Sequence, residues 1–231
     1  MAFEIKKNPF KIAICGTGSS WNLLPLQSNH TIYCLNDYIR AEKYGVKPDI
    51  LFVMDVLDEK PQIVSGFDNL GDIIKRINDM GCPLIAPYKY EEIPKSEAFP
   101  LEDCAQKFGK GAMYFTNTIC YMIAYAILQG VEKIELFGVN QAGSHEYAEE
   151  KGGVEWWLGI AVGKGIEVTI HGEHSQVLKH KGRYGNGIMY GYLQSYDQVV
   201  DFKQKFGVPT VHKLLTNPRE YSRTARKVNC I

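Results

Sequence analysis

The sequence lacks the features that would mark a disulfide-linked or membrane-spanning protein. Its six cysteines form no C-x-x-C pair, and most of them stand inside apolar runs. This usage is typical of buried, reduced thiols, so we expect a cytoplasmic protein. No apolar run approaches the ~18 residues of a membrane span. The lysines of residues 1–10 are not followed by the apolar segment of a secretory signal, and we expect none there.

An excess of either charge is also missing. The chain has 26 Lys and Arg residues against 26 Asp and Glu, a formal net charge of +0 at pH 7. Nucleic-acid binding is not indicated, because phosphate backbones are bound through a clear positive excess. The balance also argues against a polybasic membrane anchor. With 231 residues, 45% of them hydrophobic, the chain is long enough to bury a core of its own.

Apolar segments of strand length alternate along the chain with helical segments. This alternation predicts βαβ units, and therefore an α/β fold with a single-domain, doubly wound, mostly parallel, Rossmann-like sheet. We assign residues 1–180 to this nucleotide-binding domain. Strands are predicted at residues 11–15, 31–35, 49–54, 83–86, 133–139 and 166–170.

Two segments do not fit the alternation. Residues 87–110 carry proline and charge without a clean period, which predicts a long excursion or a lid-like insertion. Residues 181–231 form a C-terminal extension, packed on the domain or acting as a lid or subunit contact. Within it, the Gly- and Tyr-rich residues 183–196 predict a loop that closes over a ligand, or a contact between subunits of a homo-oligomer.

The residue pattern after the first predicted strand is Gly-Thr-Gly-Ser-Ser. In doubly wound sheets, ligands bind beyond the carboxyl ends of the strands. Glycines let the backbone approach an anion, and the following turn offers free amides and two hydroxyl groups. Trp21 stands where a dinucleotide fingerprint has its third glycine, so a classical NAD site is not predicted. The alternative is a tight turn capped by Ser19. The predicted nucleotide-binding residues are Gly16, Thr17, Gly18, Ser19 and Ser20.

Polar residues also follow the second and third predicted strands. Asn36 and Asp37 stand about 20 residues after the first glycine, where such groups hydrogen-bond a ribose. The alternative for Asp37 is a helix cap. Asp55 is a candidate Mg²⁺ ligand acting through a bound phosphate, because hard cations prefer oxygen ligands. Its alternative is a solvated acidic residue of a turn.

Thr116, Asn117 and Thr118 open an apolar helix. Capping accounts for one of these polar side chains and not for three, so the N-terminus of this helix is a second candidate phosphate site. Asn140 follows the next predicted strand and is a further candidate contact.

The loop after Asn140 holds the candidate catalytic residues His145, Glu146 and Tyr147. An imidazole, a carboxylate and a phenol together suit acid–base chemistry near neutral pH. The alternative is an exposed polar loop whose Ser144 caps the next helix. After the last predicted strand, the H-x-x-H spacing of 171 and 174 lacks an evident third zinc ligand. We expect His174 or Ser175 to contact phosphate or substrate instead.

These residues resemble two related groups of Rossmann-like proteins. One is the bacterial sialyltransferases that use CMP-activated sialic acid, and the other includes the archaeal hydroxymethyl-dihydropterin pyrophosphokinase. Both groups share a first-strand G-x-G-x-S turn, matched by Gly16, Gly18 and Ser20. Both also have a polar turn that opens an apolar helix, followed by a Gly and a strand ending Gly-x-Asp, and residues 116–140 match this stretch. The sialyltransferases continue with a Gly-Ser-x-Tyr-like segment, which Gly143, Ser144 and Tyr147 resemble. The chain length and compact loops are similar to those of small superfamily members found in bacteriophage genomes.

The chain departs from the sialyltransferase pattern at two places. The family's base is a histidine in a Gly-His-Ser motif before the last strand, and this sequence has no such motif. His174 follows the last predicted strand, so the base role does not transfer to it. Asn140 replaces the family's Asp, which weakens a metal or base role there.

Three hypotheses follow for a small-molecule nucleotide ligand. The first is a glycosyltransferase-like enzyme that moves a sugar from a nucleotide-sugar to an unidentified acceptor, with His145 or Glu146 deprotonating the acceptor and Tyr147 stabilising the leaving phosphate. The second is Mg-ATP-dependent pyrophosphoryl or nucleotidyl transfer, with Mg²⁺ held by Asp55. The third is a non-catalytic module that binds or sequesters a nucleotide.

Overall fold

The computed structural model describes residues 10–24, 29–43, 45–55, 57, 69–143 and 145–178. The predicted C-terminal extension, 181–231, and its Gly- and Tyr-rich residues 183–196 lie outside this part of the chain. The chain divides into two compact units, and all elements named below lie in the first, Met1–Val177.

Within the described residues, seven strands form one sheet. Every neighbouring pair is parallel, and the order is β5-β4-β3-β2-β1-β6-β7. This confirms the predicted doubly wound, parallel, Rossmann-like architecture. The strands are β1 (Lys11–Cys15), β2 (Thr31–Leu35), β3 (Ile50–Phe52), β4 (Leu84–Ala86), β5 (Ser96–Ala98), β6 (Lys133–Phe137) and β7 (Glu167–Ile170).

Four α-helices are present in the same part of the chain, α1 (Leu70–Met80), α2 (Leu101–Phe108), α3 (Thr118–Leu128) and α4 (His145–Gly163). Short 3-10 helices, Ser19–Leu23 and Asn36–Lys43, follow β1 and β2. The start of α1 is fixed by Asn69, whose side chain accepts a hydrogen bond from the Asp72 amide at 2.9 Å.

The helices cover both faces of the sheet and create two cores. Alternate residues of β1 point to opposite faces, as the pleat requires. Ile12 and Ile14 pack with α3 and α4, whereas Ala13 and Cys15 pack with α1 and the second 3-10 helix. Because α3 lies between the sheet and its helical neighbours, it is apolar on most of its circumference and nearly all its residues are buried.

The prediction for residues 87–110 is wrong. Instead of an excursion or lid, the segment adds β5 at the sheet edge and the two turns of α2. The strand Ser-Glu-Ala is too short and too polar to produce an alternating pattern. Its Ser96 is buried because the hydroxyl accepts from the Tyr90 amide at 2.9 Å and donates to the Tyr90 carbonyl at 2.8 Å. Cys104 anchors α2 in the core.

Candidate functional site

A cavity of about 410 Å³ lies at the carboxyl ends of the strands, where the strand order turns at β1. From β1, the strands β2 to β5 follow on one side of the sheet and β6 and β7 on the other, which makes β1 the topological switch point. Ligands of doubly wound sheets bind at this switch point. The lining consists of Gly16, Thr17, Gly18, Leu35, Asn36, Asp37, Asp55, Asn117, Thr118, Ile119, Gly138, Val139, Asn140, Gln141, Ala142, Tyr147 and Glu150.

The glycine turn after β1 forms one wall by packing against the loop after β6. The Gly16 amide donates to the Phe137 carbonyl at 2.7 Å, and the Gly18 amide donates to the Gly138 carbonyl at 2.8 Å. The buried Tyr38 hydroxyl donates to the Gly16 carbonyl at 2.9 Å. The turn is therefore rigid, and these two amides are already engaged within the protein.

Four predicted binding residues are not brought into the cavity lining: Ser19, Ser20, Thr116 and Ser175. The buried Ser20 hydroxyl accepts from the Gly138 amide and donates to the His171 carbonyl, both at 2.8 Å. The buried Ser175 hydroxyl donates to the Val139 carbonyl at 2.8 Å. Both serines therefore hold the loop after β6 in place without lining the cavity.

Asn36 and Asp55 form a hydrogen-bonded pair on the wall beside β2 and β3. The Asn36 side-chain amide donates from Nδ2 to Asp55 Oδ2 at 2.9 Å, while its Oδ1 accepts from the Asp37 backbone amide at 3.0 Å. Both bonds fix the orientation of the Asn36 amide, which therefore holds Asp55 in place. Burial raises the pKa of the Asp55 carboxyl, although the hydrogen bond from Asn36 lowers it in part.

The opposite wall joins the start of α3 to α4. Asn117 caps α3, since its Oδ1 accepts from the Cys120 amide at 3.2 Å, and its Nδ2 donates to Glu150 Oε2 at 3.0 Å. The Thr116 hydroxyl donates to the Glu150 carbonyl at 2.6 Å. Side chain and backbone of Glu150 are therefore both tied to the N-terminus of α3.

Tyr147 and Glu150 lie three residues apart on α4 and both line the cavity. Tyr147 was predicted from the sequence, whereas Glu150 was missed. Since residues three and four apart share a helix face, extending the predicted site by one turn would have found it. His145 and Glu146 begin α4, but their side chains lie outside the described part of the structure, so their catalytic roles stay predictions.

Asn140 and Gln141, which follow β6, both have a buried side-chain oxygen without a hydrogen-bond partner among the described residues. These atoms are Oδ1 of Asn140 and Oε1 of Gln141. Gln141 also adopts a φ of 45°, which is uncommon for a residue other than glycine. Such features cluster at ligand sites, and both residues line the cavity.

The charged residues of the lining are all acidic. Asp37, Asp55 and Glu150 contribute carboxylates, while the described lining contains no lysine, arginine or histidine. Carboxylates accept hydrogen bonds from hydroxyl and amino groups, so the walls suit a ligand rich in such donors. No group of three or more His, Cys, Asp or Glu side chains among the described residues is arranged to hold a metal ion. The role of Asp55 as a Mg²⁺ ligand stays a prediction.

A second polar cluster, absent from the sequence predictions, surrounds Glu135 of β6. The Nε2 atoms of His30 and His171 hydrogen-bond to its two carboxylate oxygens at 2.6 and 2.8 Å. Burial alone would raise the Glu135 pKa, but the bonds from His171 and His30, with the charge of Lys133, outweigh it and lower the pKa. His174 points elsewhere, 3.5 Å from Glu173 and largely exposed, so the H-x-x-H histidines do not converge.

An all-parallel, doubly wound sheet with a polar cavity at its switch point defines a Rossmann-like α/β protein. Two solved structures with a similar chain fold are complexes of the sialyltransferase CstII from Campylobacter jejuni. For the complex with the substrate analogue CMP-3FNeuAc, the identity is 17%, the coverage 69% of this chain and 79% of that chain, and the TM-score 0.47. For the complex with cytidine-5'-monophosphate, the identity is 16%, the coverage 72% and 81%, and the TM-score 0.47.

No family model matches the sequence, and no curated protein matches it either. Among the described residues, no helix combines the length and apolarity needed to cross a bilayer.

Proposed function

We propose that the protein is a nucleotide-dependent transferase that moves a sugar from a nucleotide-sugar to an acceptor. The observation that carries this proposal is the convergence of separate chain segments on one cavity at the switch point. Segments predicted as nucleotide contacts from their positions after β1, after β2, before α3 and after β6 all contribute to its lining.

The composition of the walls fits the hydroxyl groups of such a donor. A nucleotide-sugar carries many hydroxyl groups, and the carboxylates of Asp37 and Asp55 accept hydrogen bonds from hydroxyls. The first turn of α3, at Thr118 and Ile119, has amides without an intrahelical acceptor and the positive end of the helix dipole. We place the donor phosphate there, because this is the recurring anion site of helix N-termini.

Tyr147 completes the arrangement on the side of α4. Its phenol group lines the same cavity, and we assign it the stabilisation of charge on the departing phosphate. In the reaction, a bond forms between the acceptor oxygen and the anomeric carbon. The bond between that carbon and the phosphate oxygen breaks, and its electron pair leaves with the nucleotide.

The test is a thermal-shift series with nucleotides and nucleotide-sugars, with and without Mg²⁺. A ligand present at 100 times its Kd should add ~2.7 kcal/mol to the free energy of unfolding, which shifts Tm visibly. Stabilisation by a CMP- or UDP-sugar without metal supports the proposal and names the donor. Stabilisation by Mg-ATP alone would replace it with pyrophosphoryl or nucleotidyl transfer. No shift with any nucleotide would overturn it.

A further inference from the structure

We infer that Glu150 is the proton acceptor of the transfer reaction, in place of His145 or Glu146. The inference rests on the proposed function and adds a catalytic residue to it. Three observations carry it: the position of Glu150 on the cavity wall, the hydrogen bond of its side chain to the start of α3, and the further hydrogen bonds that orient Asn117 and the Glu150 backbone.

Glu150 lies beside the place where the donor phosphate is proposed to bind. Its Oε2 is 3.0 Å from Nδ2 of Asn117, the residue that caps α3. With the donor phosphate placed on the amides of the first turn of α3, the sugar carbon bonded to it lies in the same cavity as Glu150. For Glu150 to take the proton, the acceptor oxygen approaches that carbon from the side on which the Glu150 carboxylate lies.

The carboxylate is held in one orientation. Oδ1 of Asn117 accepts from the Cys120 amide, so its Nδ2 must face Glu150. The Thr116 hydroxyl fixes the backbone of Glu150, and Gly153 permits this contact, because a Cβ there would stand 2.2 Å from Thr116 Oγ1. A general base must be positioned before its strength matters, and these contacts supply the positioning.

The charged and titratable residues near Glu150 include Cys120, Tyr147 and Lys151. The thiol of Cys120 is close enough for the charge of Glu150 to raise its pKa, although burial is the larger cause. On α4, Tyr147 shares the cavity, and Lys151 is engaged with Glu155 at 3.2 Å. A bound phosphate would favour the protonated form of a nearby carboxylate, which assists proton uptake.

The acceptor hydroxyl oxygen attacks the anomeric carbon while its proton passes to a carboxylate oxygen of Glu150. The carbon–oxygen bond to the phosphate breaks, and the nucleotide leaves with the electron pair as its phosphate anion. Water can replace the acceptor, and the products are then the free sugar and the nucleotide.

Donor hydrolysis therefore tests the assignment without a known acceptor. The experiment uses the full chain with the nucleotide-sugar that gives the largest thermal shift, and it measures product release together with the Kd of the free nucleotide. For Glu150→Gln we expect hydrolysis to fall ~100-fold or more, the range of a lost general base. The nucleotide Kd should stay within about threefold of the wild-type value. Formate or azide should partly restore hydrolysis to Glu150→Ala, because a small anion can take the place of the carboxylate.

The matched control is Glu149→Gln, because Glu149 is a neighbouring acidic residue that is exposed. This variant should hydrolyse the donor like the wild type.

Hydrolysis by Glu150→Gln at the wild-type rate would overturn the role of Glu150 and leave the proposed function intact. A loss of hydrolysis in His145→Ala or Glu146→Gln would then restore the assignment made from the sequence. A tenfold or greater loss of nucleotide affinity in Glu150→Gln would make it a binding residue and overturn the role as base. A wild-type protein that binds no nucleotide would overturn both proposals.

Discussion

The backbone of Gly16 lies against the backbone of Gly138 so closely that a Cβ at Gly16 would stand 2.4 Å from the Gly138 carbonyl oxygen. The relation is mutual, because a Cβ at Gly138 would stand 2.5 Å from the Gly16 carbonyl oxygen. Gly138 also has a φ of +67°, which favours glycine. The two glycines let the loops after β1 and β6 meet beneath the cavity, and the hydrogen bonds of Ser20 hold them there.

Gly16→Ala should therefore damage both stability and binding. The clash is with backbone atoms, which cannot rotate away, so we expect a loss of about 1–3 kcal/mol in the free energy of unfolding. Nucleotide affinity should fall with it, since the cavity wall is displaced. Urea denaturation and nucleotide titration measure the two effects. Gly111→Ala is the control, because a Cβ there has no atom within 4 Å and no positive φ is involved; an equal loss in both variants would contradict the explanation.

Asp55→Asn should raise the thermal stability at neutral pH. Burial raises the pKa of the Asp55 carboxyl above its ordinary value of 3.8, so the folded protein binds its proton more tightly than the unfolded chain. Stability from this group is complete below that value and is lost as the pH rises through the raised pKa. The Tm advantage of the variant should accordingly grow from pH 4 to pH 7. Calorimetry at several pH values tests this, and a variant less stable than the wild type at pH 7 would refute it.

Asp55→Asn should also lower the affinity of the protein for its nucleotide. Asparagine keeps the size of the side chain but cannot accept hydrogen bonds on two charged oxygens. A carboxyl group whose charged form is disfavoured by partial burial is typical of a functional site. Isothermal titration of the variant and the wild type with the same nucleotide decides whether Asp55 contacts the ligand.

Glu135→Gln should destabilise the protein at neutral pH. The substitution removes a buried charge that holds His30 and His171, and we expect a loss on the order of 2–3 kcal/mol. Because the Glu135 pKa is lowered, its stabilising effect is present above the ordinary value of 4.5 and is lost as the pH falls through the lowered pKa. The difference between variant and wild type should therefore shrink below pH 4.5 in denaturant titrations.

Glu167→Gln is the control for this measurement. Glu167 pairs with Lys133 at 3.0 Å, but its side chain is 66% exposed, so its loss should change stability by less than about 1 kcal/mol. An equal loss of stability in both variants would show that burial of the Glu135 cluster does not account for its stabilising effect.

Alanine substitutions at two glycines of α4 should change the stability of the protein in opposite directions. At Gly159 a Cβ would meet no atom within 4 Å, so Gly159→Ala should stabilise the helix by about 0.5–1 kcal/mol. At Gly153 the Cβ would stand 2.2 Å from the Thr116 hydroxyl, so Gly153→Ala should destabilise by about 1–3 kcal/mol. Thermal unfolding of both variants provides the comparison, and stabilisation by both would mean that α3 and α4 are not held together at Gly153.

The sequence predicted the fold well because its signals are local. Apolar runs ended by glycine or a polar residue predicted β1 and β2 at their observed bounds. The polar residues before the apolar helix predicted the start of α3 but not which of them caps it, and in the structure the cap is Asn117. The rule that ligands bind beyond the strand ends selected seven of the residues that line the cavity, including Asn36, Asp55 and Asn140.

The partners of those residues were decided by tertiary structure alone. Sequence position could not show that the Ser20 hydroxyl bonds to Gly138, 118 residues away, and lies behind the cavity. Nor could it show that Asn117 binds Glu150, or that Glu135 lies between two histidines distant in the chain. A hydrogen bond depends on where side chains from different elements meet, and that meeting point is set by the packing of the whole sheet. The sequence by itself therefore determined the elements and the edge of the sheet that carries the site, while the tertiary structure decided which polar groups line the cavity and which lie outside its lining.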